Sequence, residues 1–400
     1  MPVIVLKYGG SSIADIEKIK KVAAAIASVK ESGYAVAVVV SAMGKTTDSL
    51  IETAKMISND PPKREIDMLL STGERITMSL LCIALNNLGI DSVSLTGSQA
   101  GIITNDRHND ARVIEVRPFR VIDELDNGKV VVIGGFQGVS YKRDITTLGR
   151  GGSDTTAIAL AAALEAERCE IYSDVDGVYT ADPSMIKEAK HLPELSYEQM
   201  QEMSEAGAKV LNSQAVQFAK NANIAIYARS TFSQGKETII RKLPAGIHKG
   251  VSSIVYESDV ARVSFCTEKL KDDLDLLFDY LDSNQIKIKE LNYFEEENSI
   301  KASFIISYQN IHNLSLIQKE LNDKFKNNIN FYLNFGTVSV IGEGINNDNT
   351  ILTETIKLLK NNEIDVKGIS TTSFRISLLM DRQKIKEAVK ICHKRWIEQS

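Results

Sequence analysis

The stretch Val3-Ile4-Val5-Leu6-Lys7-Tyr8-Gly9-Gly10-Ser11-Ser12 begins as an apolar run, carries a lysine near its end, and passes directly into two glycines and two hydroxyls. A Val/Ile/Leu run without polar alternation is the pattern of a strand buried on both faces, as in a parallel sheet covered by helices. Glycine lets a backbone approach an anion closely, and lysine supplies charge. The common phosphate loop, GxxxxGK[ST], carries its lysine after the glycines, so this stretch follows a different design. Two readings stay open from these residues alone. Lys7 ends a buried strand before an ordinary turn, or lysine, glycines and hydroxyls together hold a phosphate.

The same grammar recurs along the first part of the chain. Ala35–Ala42 (AVAVVVSA), Val130–Gly138 (VVVIGGFQG), Cys169–Val175 (CEIYSDV) and Ile224–Ser230 (IAIYARS) read as strands, with helical patterns at Ile16–Lys30, Ile66–Leu88 and Asp154–Leu164. Such alternation predicts an α/β domain of three layers around a mainly parallel sheet. Ligands in these folds bind beyond the carboxyl ends of the strands. The clusters Gly9–Ser12, Ser41–Thr47 and Gly134–Gly138 fall just past those ends. That placement favours function over plain turn chemistry.

Composition narrows the classes. The 400 residues are 43% hydrophobic and 25% charged, with 47 basic and 52 acidic side chains well mixed and a net charge of -5. Two or three globular domains are expected, with no basic footprint for nucleic acid. No continuous apolar run reaches the roughly 18 residues of a membrane span, and the start lacks a signal-peptide pattern. Cys82, Cys169, Cys266 and Cys392 stand far apart, which disfavours a zinc site or a disulfide framework. A cytoplasmic protein is the expectation.

All seven prolines lie at or before Pro244, and the remainder is rich in Lys, Asn and Ile. The domains expected are therefore residues 1–243 and 244–400. The second region repeats itself. ARVSF (Ala261–Phe265) is echoed by TVSVI (Thr337–Ile341), Asp273–Ile288 by Thr350–Val366, and Ser299–Ser307 by Ser373–Asp381. The order strand, helix, strand, strand, helix occurs twice at a period of about 75 residues, which predicts two α+β units. They cover about residues 258–330 and 335–400, with intertwining left open. Neither carries an acid/base pair, a nucleophile with a partner or a metal-spaced cluster, so ligand sensing or assembly is their expected work, with a pure scaffold as the alternative.

Four constellations in the first region carry chemistry. Thr146–Ala157 (TTLGRGGSDTTA) sets Arg150, Gly151 and Gly152 before a helix start. Ser153 or Asp154 could simply cap that helix, but a cap explains neither the arginine nor the paired glycines. Leu69–Ile76 (LLSTGERI) interrupts a helical apolar face with Gly73, a substitution costing about 1 kcal/mol. Glu74 beside it suits a cationic amino group, although such a residue read alone is more often solvated. Tyr172–Pro183 (YSDVDGVYTADP) lacks the ligand pattern of a calcium loop and suits an adenine or ribose site. Gly207–Ala215 (GAKVLNSQA) offers Lys209, a weak signal by itself.

Read together, KYGGSS, VVVSAMGKTTD, LLSTGER, TGSQAG, GFQGV, TTLGRGGSDTTA and YSDVDGVYTADP occur in this order and resemble the aspartate kinase family of the amino-acid kinase superfamily. The likeness spans essentially the whole chain, since that family ends in two ACT domains. It implies an amino-acid kinase fold followed by tandem ACT domains, and transfer of phosphate from ATP to L-aspartate with Mg2+ held mainly by phosphates and water. The product would be 4-phospho-L-aspartate, first in the route to lysine, threonine, methionine and diaminopimelate. By the same resemblance Lys7 and Asp154 are catalytic. Lys7, Tyr8, Gly9, Gly10, Ser173, Asp174, Tyr179, Asp182, Ser184, Lys209 and Val210 bind ATP. Ser41, Thr47, Glu74, Arg150, Gly151, Gly152 and Ser153 bind substrate. No protein metal ligand is nominated.

The family also commonly has arginine where Ser184 stands, and His-Pro where Asn212-Ser213 stand. Its ACT turns usually carry a Pro-Gly pair near the effector. Here Lys271 and Asp272 occupy that place in the first unit, and Asn349 and Thr350 in the second. Altered feedback by lysine, threonine or a related amino acid is the expectation. Homodimers or larger assemblies through open ACT sheet edges are expected too. The rival readings are another amino-acid kinase, which would not need SAMGKTTD or the tandem tail, and a silent ACT-bearing subunit, which would not need Lys7, Glu74, Arg150, Asp154 and Lys209.

Overall fold

The computed structural model describes the chain apart from residues 150, 234, 244–249, 268–270, 297–298, 309–310, 312–313, 326–327 and 400, and apart from the side chains of 271, 272 and 296. Two compact units emerge. The first is built on an eight-stranded sheet in the order Glu194–Ser196, Glu237–Arg241, Ile226–Ser230, Arg168–Ser173, Val3–Tyr8, Ala35–Val40, Val130–Gly134, Ser92–Leu95. Neighbours run parallel except Ile226–Ser230 against Glu237–Arg241.

The continuous apolar runs have the expected cause, burial from both sides. Ile4, Leu6, Tyr8, Val36, Val38 and Val40 join one core with Ile19, Val22 and Ile26 of helix Ile16–Glu31 and Met78, Leu81 and Leu85 of helix Lys63–Asn87. The other face is covered by helices Phe119–Asp126 and Gly152–Ala163, with Ser213–Ala222 packed on the latter. Strand alternation then sorts the first motif. Tyr8 follows Ile4 and Leu6 into the first core, while Lys7 faces the Gly152–Ala163 side.

Two local readings change. Val130–Gly138 is not one strand. Val130–Gly134 ends in the large sheet, and Gln137–Ser140 belongs to a four-stranded sheet with Val113–Val116, Ile102–Thr104 and Ile145–Thr147. The break falls where Phe136 takes a left-handed φ of 65°. Gly73 does not interrupt its helix, which runs unbroken over Lys63–Asn87. That helix has the length and mean hydropathy of a membrane span, yet its inward face is buried and includes two carboxylates, Asp67 and Glu74. It is a core helix.

The second unit is a six-stranded antiparallel sheet in the order Ile288–Glu296, Ser299–Ser307, Gly250–Thr267, Ile329–Glu343, Arg375–Asp381, Gly368–Thr371. Two cores sit along it, in step with the sequence repeat. One gathers Val263, Phe265, Leu277, Phe304, Leu321 and Phe325. The other gathers Ile254, Val338, Val340, Leu359, Leu378 and Val389. Long strands serve both. The first part of Gly250–Thr267 pairs with Thr337–Glu343, and its last part pairs with Ser299–Ser307 and the start of Ile329–Glu343.

A cut at residue 244 does not by itself separate the units. Thr180–Lys190 and Ala206–Ala208 also belong to the second. Ala181 and Ile186 are buried in its core, the Thr180 carbonyl accepts the Ile254 N–H at 2.7 Å, and the Thr180 hydroxyl lies 2.9 Å from Nε2 of the buried His393.

Gly73 gives a test of helix packing. Replacing a mid-helix glycine by alanine ordinarily stabilises by about 1 kcal/mol. Here the new Cβ would sit 2.8 Å from the Ala42 Cβ. Gly73→Ala should therefore lose about 1–3 kcal/mol in urea unfolding. A gain in stability would show that no such close approach exists.

Candidate active site

Lys7 and Asp154 meet. Nζ lies 2.7 Å from Oδ1, and both side chains are only 11% exposed. Lys7 is delivered by strand Val3–Tyr8, and Asp154 by the first turn of helix Gly152–Ala163. Removing two charges from water costs more than an apolar pair of similar volume would, so stability alone does not explain this pair. A cation held at a helix start by one carboxylate can instead meet an incoming anion.

The loop before that helix needs its glycines. Gly149 and Gly151 have φ of 71° and 69°. A Cβ on Gly151 would lie 2.6 Å from the Asn212 Cβ, and one on Gly152 would lie 2.8 Å from the Leu148 Cβ. Asn212 is itself the cap of helix Ser213–Ala222, accepting the Gln214 N–H at 2.8 Å. Ser153 is buried on the same side. Arg150 lies outside the described residues.

Three further turns are tied to this centre through backbone. The Ser41 N–H donates to the Tyr8 carbonyl at 3.1 Å, and the Gly44 N–H to the Gly10 carbonyl at 3.1 Å. The Ala42 N–H donates to Glu74 Oε1 at 3.1 Å. Gly134 abuts the Glu74 Cβ and Gly135 abuts Ser153, so one Gly-Gly pair separates the two side chains. Thr47 stands in the first turn of helix Thr46–Ile57. An open cleft of about 460 Å³ adjoins this turn, lined by Met43, Gly44, Lys45 and Thr46, but Lys7, Glu74 and Asp154 do not line it.

Glu74 is not a solvated helix residue. It is 2% exposed, and Oε2 has no hydrogen-bond partner among the described residues. Burial pushes its carboxyl up to about 7, against the smaller lowering effect of backbone hydrogen bonds from its own N–H and that of Ala42. A buried, half-satisfied carboxylate fits a cationic partner.

Other expected contacts are placed differently. The Tyr8 side chain is core, stacked on Tyr172 at 4.8 Å between centroids, on the sheet face opposite Lys7. The Gly9 N–H is engaged with the Tyr172 carbonyl at 3.1 Å, so that amide is occupied. Gly10 is required by space, since a Cβ would approach the Ala42 carbonyl oxygen to 2.8 Å. Beyond strand Arg168–Ser173, the Ser173 hydroxyl binds the Val175 N–H and Asp174 is exposed. The Tyr179 hydroxyl donates to Asp176 Oδ1 at 2.8 Å. Lys209 is exposed and Val210 half-buried between two helices. Asp182 and Ser184 belong to the second unit, where the Ser184 N–H and hydroxyl both donate to Asp182 Oδ1.

Residues 2–230 match the model of the amino acid kinase family, and residues 338–396 match an ACT domain model. Over 98% of this chain and 96% of its own length, the aspartokinase of Mycolicibacterium smegmatis is 39% identical. That of Bacillus sp. (strain MGA3) is 38% identical over 98% and 97%. The chain belongs to the aspartokinase family. Aspartokinase III of E. coli, in complex with aspartate and ADP, superposes with a TM-score of 0.83 over 98% of this chain and 99% of that one, at 21% identity. The same enzyme with lysine and aspartate gives 0.74 at 20% identity, over 99% of each chain. At these identities the two structures speak for the fold.

Of the residues singled out in the sequence, the structure pairs Lys7 with Asp154 and buries Glu74 against the Ala42 turn. Sequence reasoning assigned no role to Ala42, whose N–H holds Glu74, or to Gly135. The signal for each was its place in a cluster just past a strand end, Ser41–Thr47 for Ala42 and Gly134–Gly138 for Gly135. In the second unit, Thr350 opens helix Thr350–Asn361 with its N–H on Asp348 Oδ1 at 2.8 Å, and the Asn349 carbonyl accepts the Thr353 N–H. Lys271 and Asp272 begin helix Lys271–Ser283, their side chains outside the described residues.

The Glu74 carboxyl also predicts a pH signature. Raised in the fold from 4.5 to about 7, it binds more protons folded than unfolded between those values. Stability contributed there falls as pH rises, by about 3 kcal/mol once pH exceeds 7. Glu74→Gln should therefore gain about 1–3 kcal/mol near pH 8 and nothing near pH 4 in denaturant unfolding. An equal change at both would dismiss the buried charge as its cause.

Proposed function

We propose that this chain transfers the γ-phosphoryl group of ATP to the side-chain carboxylate of L-aspartate, giving ADP and 4-phospho-L-aspartate. The buried Lys7–Asp154 pair at the end of a parallel strand carries the reading. A carboxylate is already ionised at neutral pH, so its oxygen attacks phosphorus without a general base. The difficulty is bringing two anions together, and catalysis is positioning and charge stabilisation. Lys7 neutralises charge on the moving group while Asp154 holds the ammonium in place.

Glu74 takes the substrate ammonium on Oε2, and Arg150 a substrate carboxylate. Ser41, Thr47, Gly151, Gly152 and Ser153 line the amino acid. ATP lies along Gly10, Ser173, Asp174, Tyr179, Lys209 and Val210, with Asp182 and Ser184 entering this reading through the sequence pattern alone. The Gly9 amide is spent on Tyr172, so Gly9 contributes by its place beside the ammonium, where a Cβ would stand in ordinary contact at 3.5 Å from Lys7 Nζ. Among the described residues no group of three or more His, Cys, Asp or Glu is set to hold a metal. Mg2+ would then be held by phosphates and water, supplying charge neutralisation when bound.

The cytoplasm is the proposed location and the aspartate-derived amino acids the proposed pathway products. Homodimers or larger assemblies would form through the edge strands Ile288–Glu296 and Gly368–Thr371. Feedback by lysine, threonine or a related amino acid is altered, since Asp348 already caps the second helix start.

With hydroxylamine present, purified protein, ATP and L-aspartate should yield aspartyl hydroxamate; no product at ~millimolar substrates refutes the kinase reading. Lys7→Ala should cut kcat by ~100-fold or more, and near-normal turnover would end its assigned role. Lysine and threonine, singly and together, should inhibit weakly; strong concerted inhibition would overturn the altered-feedback reading.

A further inference from the structure

Asp67 takes no part in the chemistry above, yet it is fully buried on the helix that carries Glu74. Oδ2 lies 2.6 Å from His108 Nδ1. Oδ1 accepts the Asn109 N–H at 3.0 Å and the Thr147 hydroxyl at 2.5 Å. One carboxylate thus fastens three stretches of chain: the helix Lys63–Asn87, the turn at His108–Asn109, and the strand Ile145–Thr147.

Those stretches lead into the substrate loop. The Ala111 N–H donates to the Thr147 carbonyl at 2.8 Å, and Gly149 is packed so tightly that a Cβ would lie 2.9 Å from Asp110 Oδ1. From Thr147 the chain runs through buried Leu148 into Gly151, Ser153 and Asp154. On the helix, Glu74 stands seven residues after Asp67, about two turns along the same face. Between them the Ser71 carbonyl accepts the Gln137 side-chain amide at 3.1 Å, and Gln137 pairs with Thr147 across the small sheet.

We propose that Asp67 is a positioning residue that sets affinity for the amino-acid substrate by locking the Glu74 helix in register with the strand feeding Ser153 and Asp154. The proposal rests on the reading of Glu74 as the ammonium contact. An apolar side chain would fill the same place without the desolvation cost of a buried carboxylate. Apolar packing, however, tolerates a small slide of helix on sheet, whereas three directed hydrogen bonds to one carboxylate do not. Glu74 and Ser153 are separated by only the Gly134-Gly135 pair. A small displacement at that distance loosens the hold on the amino acid before it reaches the reacting groups.

The test separates KM from kcat. Asp67→Asn keeps the shape and alters the groups facing His108 and Thr147, and Thr147→Val deletes one bond from the strand side. Both should raise KM for aspartate about tenfold or more, with KM for ATP and kcat at saturating aspartate within about twofold of wild type. Thr147→Ser, which keeps the hydroxyl, should behave as wild type, and the double variant should lose less than the product of the singles. Unchanged KM for aspartate in both variants, or equal rises in both KM values, would overturn the proposal. If Asp67→Asn does not fold, Thr147→Val against Thr147→Ser decides alone. If wild-type protein phosphorylates a different amino acid, the aspartate reading fails, and the same split is then read with that substrate.

Discussion

The first unit depends on keeping one lysine ammonium and one carboxylate together out of water. Lys7 and Asp154 come from opposite structural sources, the carboxyl end of a central strand and the amino end of a helix. A parallel sheet supplies this meeting at low cost, because strand ends and helix starts face the same rim. Holding the pair at 11% exposure demands that surrounding turns come close without adding side chains. Gly135, Gly151 and Gly152 do this from two different loops, each so near its neighbour that a Cβ would clash. The glycines serve first as space and only then as conformational freedom.

A second constraint follows from the small distances. Where turns pack backbone to backbone, hydrogen bonds fix them more closely than side-chain packing does. Tyr8 to Ser41 and Gly10 to Gly44 form such a set, and the Ala42 N–H of the same turn adds a bond to the Glu74 side chain. Glu74 gains from this, since the Ala42 N–H orients its carboxyl and leaves Oε2 open. Its raised proton affinity is the cost of that burial, and an arriving ammonium would offset it.

The sheet and its covering helices were legible because burial on both faces writes continuous Val/Ile runs, and the ACT-like repeat was legible because each copy needs the same apolar face. Lys7, Glu74 and Asp154 were legible as charges beside glycines. The motif is a linear string while a strand is two-sided, so Lys7 points to one face and the Tyr8 side chain to the other, leaving Tyr8 its backbone alone for any contact on the Lys7 side. Gly9 was credited with an amide that Tyr172 already uses, a partner more than 160 residues away that no local pattern announces. Asp67, within the helix Lys63–Asn87, has no sequence signal of its own. Only the fold brings His108, Asn109 and Thr147 to it.

The second unit carries a different kind of constraint. Because Gly250–Thr267 and Ile329–Glu343 each run through both halves of its sheet, neither repeat owns a complete set of strands. A shift in one half is therefore carried along a shared strand into the other, without any linker to absorb it. Thr180–Lys190 is packed in that same core, with Ala181 and Ile186 buried and Thr180 held by Ile254 and His393.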